Sequence, residues 1–438
     1  MSEITTRRII FNLDKLPEYT KAFADKKIAV IGAGAVGSLV VESLLKMGCR
    51  DIVIIDLDTL EADNIAKSSS LYRYPDDVGC SKAIALARRA NEILTNKTVN
   101  GIYASISDFG PMAFVGYDVV ILALDNFAAK VYFNQIWKQM PDHCRPLLIS
   151  GGTYEESGQS YCFDGEDACL RCSFDEKWLK NPLERTSCLN IQYRVEPDTG
   201  EIVRTSGLAS GVTAHMIAEQ CRSYFLGNRN ITNKCLMYEP YPNISISEYT
   251  TMKRKHCPDC MDYHPMDDAE VIKSGDVLHT TVGEFMRILD DLYDGQNYEL
   301  MIPVVEYANI GYTGLIKSAH CSYCGSEIDG IYRHSFRTVP EDIVCDFCRS
   351  MNPFTTLSYY NAHGGDDGVV IRAITHENTD EILVNKTLYE IGFPLGAIIE
   401  VRSVNDDGVD IIDFDPEIRH FYCENDSKLL KTISRLEA

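Results

Sequence analysis

The sequence predicts an α/β fold: a mostly parallel sheet covered by helices on both faces, followed by a smaller β-rich domain. Three observations carry that expectation. Between Lys26 and Gly152, short apolar runs alternate with stretches of helical spacing. The first run leads straight into Gly32-x-Gly34-x-x-Gly37. Of 16 cysteines, eight stand in four CxxC pairs, a metal-site pattern rather than a disulfide framework at this chain length.

The elements follow in order. Lys27–Ile31 is an apolar strand, and the glycine loop after it opens a helix over 37–47. Gly32 permits a tight turn, Gly34 close approach of a phosphate, and Gly37 close packing of helix on sheet, with the first-turn amides facing an anion. Asp51–Asp56 (DIVIID) is the second strand, ending on a carboxylate where ribose hydroxyls are met in nucleotide-binding βαβ units. A helix is expected at 81–94, strands at 117–124 and 146–151, and a helix rich in small residues at 206–226. Residues 153–205 read as an irregular, cysteine-bearing insertion. Beyond residue 266 the character changes: a helix with apolar spacing at Val282–Tyr293, cysteines at 320–350, then a β-rich tail with a Pro394-Leu-Gly396 turn.

The bulk numbers bound the partners. A formal net charge of −22 argues against nucleic acid or an anionic membrane surface. No run approaches the ~18 apolar residues of a membrane span, and the polar start MSEITTRRIIFNLDK has no signal-peptide core. A reduced, cytoplasmic location is expected.

The segments after Asp56 are more specific. DLDTLEADNIAK, VGCSKA and LALDNFAAK supply acids at Asp56 and Asp58, an amide at Asn64, cations at Lys67 and Lys82, and Asp125-Asn126 at a later strand end. That set suits a triphosphate better than a nicotinamide, with cations for phosphate charge and Asp125 for Mg²⁺.

In this order and near this spacing, the motifs resemble the E1-activating family, which includes ubiquitin-activating enzymes and bacterial sulfur-carrier adenylyltransferases of the ThiF/MoeB type. That family carries GxGxxG, D-x-D, N-L-x-R-Q, G-x-x-K-A and D-N. Here these are Gly32–Gly37, Asp56-Leu-Asp58, Asn64-Ile-Ala-Lys67, Gly79-Cys-Ser-Lys82-Ala83 and Asp125-Asn126, within roughly residues 5–265. The resemblance implies a Rossmann-like adenylation domain over 1–265 with structural zinc, and an accessory zinc-ribbon, β-rich domain over 266–438. It implies Asp56 on the ribose, Asn64, Lys67 and Lys82 on the phosphates, Asp125 on the metal, and Arg7 or Arg8 reaching across a homodimer. The family's arginine is Lys67 here and its glutamine Ser68. Lysine supplies charge without the bidentate fork, and Arg73 is a second candidate for that cation.

Cys169, Cys172, Cys257 and Cys260 form two knuckles of a structural zinc site with four cysteine ligands, widely separated as the family shows. Cys321, Cys324, Cys345 and Cys348 have compact ribbon spacing and predict a second zinc. Cys188, in the polar stretch ERTSCLN, falls where the family's thioester-forming cysteine often lies, with Cys80 and Cys221 behind it. The resemblance therefore implies ATP- and Mg²⁺-dependent activation of the C-terminal glycine of a ubiquitin-like protein, capture on Cys188, and transfer to an E2-like partner. The extra C-terminal domain favours a bacterial conjugation system of the kind found in antiphage (antiviral defence) operons. Competing readings are a sulfur-carrier adenylyltransferase that needs no E2, an NAD-dependent oxidoreductase, and a non-catalytic scaffold.

Overall fold

The computed structural model describes residues 21–65, 67–94, 98–174, 194–195, 202–203, 206–260, 269–273, 275–294, 296–302, 315–320, 326–334, 370–371, 373–403 and 418–423. The chain divides into two units. One comprises residues 1–107, 114–263 and 430–438, the other residues 108–113 and 264–429. Arg7, Arg8, Cys188 and the cysteines of the second expected zinc site (Cys321, Cys324, Cys345 and Cys348) lie outside the described residues.

The first unit is built on an eight-stranded sheet. In its parallel half, β1 (Lys27–Ile31) lies between β2 (Asp51–Asp56) and β4 (Val119–Leu122). Outside these lie β3 (Val99–Tyr103) and β5 (Leu147–Tyr154). Ile28, Ala29, Val30, Val120 and Ile121 are fully buried. Side chains on both faces of these strands are covered, which is why the strands read as continuous apolar runs rather than alternating ones. In chain order the helices are α1 (Ala35–Lys46), the single-turn α2 (Ala62–Ile65), α3 (Lys82–Ile93), α4 (Phe127–Lys138) and α5 (Gly207–Phe225). Val40, Val41 and Leu44 of α1 and Ala214, Ile217 and Cys221 of α5 share one buried cluster with β1 and β2.

Register places the site. Ile31 pairs with Ile55 on one side and Leu122 on the other, so the chain leaves β1, β2 and β4 along a single edge. The strand order also reverses direction at β1, and α/β sheets bind ligands at such an edge.

The expected sheet needs correction in one half. Residues 153–163, read as irregular, complete β5 and form β6 (Ser157–Phe163), joined by a tight hairpin. β6, β9 (Lys234–Glu239) and β10 (Ser245–Thr250) extend the sheet antiparallel, making it mixed. β10 (SISEYT) is polar and largely exposed, and β6 (SGQSYCF) buries small and polar residues such as Gly158 and Ser160, so neither gives an apolar run. Two short strands, β7 (Arg194–Val195) and β8 (Ile202–Val203), pair within the insertion.

In the second unit, β11 (Glu270–Ile272), β12 (Tyr298–Met301), β16 (Ala373–Ile374), β17 (Ile399–Ser403) and β18 (Ile418–Cys423) form a five-stranded sheet, order β11-β18-β17-β12-β16. The helix α6 (Val282–Tyr293) starts at a capping box between Thr281 and Glu284, and its Phe285 and Leu289 are fully buried, as are Leu300, Val401 and Phe421. Gly396 closes the expected turn at φ +78°. A second sheet of three strands holds β13 (Leu315–His320), β14 (Glu327–His334) and β15 (Val370–Ile371). A short helix, α7 (Glu381–Val384), is N-capped by Asp380, and Leu388–Ile391 forms a hydrogen-bonded turn.

A buried ion cluster fixes the segment between α2 and α3. Asp77, fully buried, accepts three hydrogen bonds from Arg89 (2.9, 3.0 and 3.2 Å), one from Arg88 (2.6 Å) and one from the Arg73 amide (2.7 Å). Burial pushes this carboxyl up, but those donors outweigh it and hold its pKa below the usual range. Its stabilisation is therefore complete above the unfolded Asp value of about 3.9 and lost as pH falls through the lower native value. Asp77→Ala leaves the Arg89 guanidinium buried without its main partner. The variant is expected to lose about 3 kcal/mol at pH 7, and to lose less further stability than wild type below pH ~4. Urea unfolding at the two pH values measures both.

Candidate nucleotide site and cysteine cluster

The glycine loop is shaped by close contacts at two of its three glycines. Gly32 sits at φ +98°, and a Cβ there would lie 2.5 Å from the Ala123 carbonyl oxygen. A Cβ on Gly37 would lie 1.9 Å from the Gly32 oxygen, so helix and loop touch backbone to backbone. At Gly34 a Cβ would meet nothing within 4 Å. Gly34 is the N-cap of α1 and makes no side-chain cap, leaving the first-turn amides of the helix uncapped.

Asp56 ties this loop to the next. Its Oδ2 accepts from the Ala33 amide (2.5 Å) and its Oδ1 from the Asp58 amide (2.7 Å). Burial raises its pKa above the ordinary carboxylate value, against those amides and the field of Lys82. Lys82, the first residue of α3, donates from Nζ to Asp58 Oδ2 (3.0 Å). Burial depresses the Lys82 ammonium, but Asp56, Asp58 and Asp125 prevail and hold it above the ordinary lysine value. Tyr72 closes the arrangement, its buried hydroxyl 2.8 Å from the Ala33 oxygen and 3.1 Å from the Lys82 oxygen.

Asp125 lies just beyond β4. Its surface is exposed, yet protein packed around the carboxyl raises its pKa by desolvation, against a local backbone hydrogen bond and the field of Lys130. Asn126 spends its side-chain oxygen on the Ala129 amide (3.3 Å) at the start of α4. Asn64 and Lys67 are half-buried, and their side chains make no hydrogen bond or ion pair among the described residues. Arg73 is committed elsewhere, its guanidinium 2.6 Å from Glu92 of α3. Of the two candidate cations, Lys67 is thus the one not committed to an ion pair among the described residues.

The first expected zinc cluster is assembled. The sulfurs of Cys169, Cys172, Cys257 and Cys260 all lie within 4.8 Å of one another. Four of the separations are 3.4–3.9 Å. A tetrahedral zinc with Zn–S of about 2.3 Å requires sulfurs about 3.8 Å apart, so these residues fit that ion. The Arg254 amide donates to Cys172 Sγ (3.4 Å). Around the cluster, Asn134 of α4 donates to Asp259 Oδ2 (2.6 Å) and Cys169 Sγ (3.4 Å), and accepts from the Leu170 amide (2.9 Å). Asp259 also pairs with Arg171 (2.9 Å). These are the outer contacts that orient metal ligands.

Comparison with known proteins now bears on the chain. The ThiF family model matches residues 7–260, more than half of the sequence. The chain belongs to the ThiF family. The SAMP-activating enzyme E1 of Haloferax volcanii is 27% identical over 163 residues, which are 36% of this chain and 57% of that protein. The NEDD8-activating enzyme E1 catalytic subunit of Dictyostelium discoideum is 30% identical over 162 residues, 34% of this chain and 36% of that protein. The chain thus spans between a third and three-fifths of the length of these relatives. A crystal structure of E. coli MccB with AMPCPP and MccA aligns at 18% identity over 56% of this chain and 69% of that chain, with a TM-score of 0.44. No helix among the described residues is long and apolar enough to cross a membrane.

Sequence reasoning missed Tyr72, Lys130, Asn134 and Asp259. Lys130 and Asn134 had a usable signal: two polar residues at i and i+4 on a helix otherwise rich in Phe, Val, Ile and Trp. Tyr72 had none, since only the fold brings its hydroxyl to two backbone carbonyls.

Cys257→Ser removes one ligand from a closed tetrahedral set. The variant is expected to carry one zinc fewer per chain than wild type and to melt several degrees lower, at roughly 2–4 °C per kcal/mol for domains of this size. Metal content by mass spectrometry and a thermal melt decide it. Unchanged zinc and melting would remove the structural role.

Proposed function

We propose that this ThiF-family chain adenylates the C-terminal carboxylate of a small partner protein and releases the product as an acyl-adenylate, in the manner of a sulfur-carrier adenylyltransferase. The observation that carries the reading is the convergence of the uncapped glycine loop, Asp56, Asp58, Lys82 and Asp125 at adjoining ends of β1, β2 and β4. Each Asp56 oxygen accepts one amide and keeps acceptor capacity for ribose hydroxyls. The open space before Gly34 suits a phosphate approaching the backbone. Asn64, Lys67 and Lys82 take phosphate oxygens, and Asp125 holds Mg²⁺, which when bound neutralises phosphate charge. A carboxylate oxygen of the partner bonds to the α-phosphorus, the bond from that phosphorus to the bridging oxygen breaks, and pyrophosphate leaves with the electron pair.

A protein-sized substrate is supported by an apolar groove of about 640 Å³ along α5, lined by Leu208, Val212, Met216, Leu236 and Ile246. Leu208 is 72% and Ile246 58% exposed. Exposed apolar surfaces of this kind mark protein contacts.

One observation favours a second reading. Relatives of the chain are named as E1 activating enzymes, which supports a further step in which the Cys188 thiolate attacks the acyl carbonyl, AMP leaves, and an E2-like protein accepts the thioester. Three buried cysteines of the first unit are poor substitutes for Cys188 in that step. Burial pushes Cys49 up to about 12 and holds Cys162 and Cys221 well above the ordinary thiol value. A thiol held protonated is a poor nucleophile.

ATP–pyrophosphate exchange, run with the small glycine-ending proteins encoded beside the gene, tests both readings. Exchange that depends on one such protein is expected, and Asp125→Ala should lower it at least ~100-fold. Cys188→Ala should leave exchange intact and remove any reducible conjugate if the thioester step exists. No exchange with any candidate, in zinc-replete protein, overturns the adenylation reading.

A further inference from the structure

Lys130 is the first-unit residue whose position the reading above leaves without a purpose. It lies in the first turn of α4, five residues past Asp125, and only 9% of it is exposed. Its ammonium sits 5.8 Å from the centre of the Phe127 ring, and an ideal Cβ on Gly152 of β5 would lie 3.5 Å from it. The amine thus lies between the start of α4 and the C-terminal part of β5. No hydrogen bond or ion pair joins its side chain to any described residue. Burial lowers its pKa to about 8, and the field of Asp125 opposes that drop.

Burying an ammonium without a hydrogen-bonded partner is costly, and a lysine with no task there would be replaced to advantage by an apolar side chain of similar length. Long lysine stems ordinarily carry the charge out to water. Here the residue is largely buried and its charge lies in the field of Asp125, a carboxylate of the candidate site. An anionic oxygen at that end of the site would supply the missing partner.

We propose that Lys130 is a further substrate-contacting residue, whose ammonium takes an anionic oxygen of the reacting pair. Two groups offer that chemistry: the nucleotide phosphate and the incoming carboxylate. The proposal rests on the adenylation reading above and adds to it a residue outside the motif set of Gly32–Gly37, Asp56, Asp58, Asn64, Lys67, Lys82 and Asp125.

Calorimetric ATP binding and exchange kinetics of wild type, Lys130→Met and Lys130→Arg separate the outcomes. Losing a charge-assisted hydrogen bond should weaken one substrate ~10-fold or more. A rise of that size in the ATP Kd, with the partner's KM unchanged, places the ammonium on phosphate. A rise in the partner's KM, with the ATP Kd unchanged, places it on the carboxylate. In either case Lys130→Arg should recover part of the loss. If Lys130→Met binds and turns over both substrates like wild type, the proposal is wrong. If that variant does not fold, amine acylation of the wild type decides by mass spectrometry: ATP or the partner must protect Lys130, and protection by neither overturns the proposal. Wild type that binds no ATP would instead overturn the adenylation reading itself.

Discussion

One carboxylate organises the candidate site. Asp56 ends β2 with its two oxygens on two backbone amides, Ala33 in the glycine loop and Asp58 in the following loop. Each bond is charge-assisted, so two loops that could otherwise move separately are fixed to one strand end. Further contacts then follow in sequence. Asp58 holds Lys82 at the first turn of α3, and Tyr72 joins the glycine loop to the backbone of Lys82. The arrangement leaves Lys82 charged within a cluster of acids, where it meets an anion without first acquiring a proton.

The cysteine cluster acts on the same site through α4. Asn134 ties that helix to Cys169, Leu170 and Asp259, and Asp259 lies between the ligands Cys257 and Cys260. Lys130 is one helical turn earlier on α4 and lies in the field of Asp125. A metal that fixes Cys169 and Cys257 therefore also fixes the helix that presents Lys130. A metal held by these four cysteines would thus bear on α4 through Asn134, besides joining two distant parts of the sequence.

What the sequence made legible divides along physical lines. β1, β2, β4 and β5 were readable because burial on both faces makes them continuous apolar runs, and α1, α3 and α5 because their ends carry glycine, serine or turn signals. The antiparallel strands β6, β9 and β10 were not, since Ser157–Phe163 and Ser245–Thr250 mix polar and apolar residues without a clean period. Within the site, the residue order of the motifs was visible but the pairings were not. Arg73 has the right charge near the right place in sequence, yet the fold spends it on Glu92. Asp77 and Tyr72 take their meaning from partners brought close only by the turn between α2 and α3.

Both lysines and arginines make ion pairs in the first unit. Several of its arginines are held in ion pairs: Arg89 and Arg88 on Asp77, Arg171 on Asp259, Arg73 on Glu92. A planar guanidinium fits a permanent carboxylate partner, often with two bonds at once. Two lysines, Lys82 and Lys130, lie in the field of Asp125 just beyond β4. A compact ammonium on a flexible stem can follow a phosphate oxygen as bonds form and break, and demands no bidentate geometry from it. In a chain with a formal net charge of −22, Asp56, Asp58 and Asp125 offset the charge of Lys82 and Lys130, so the edge is no positive patch by itself.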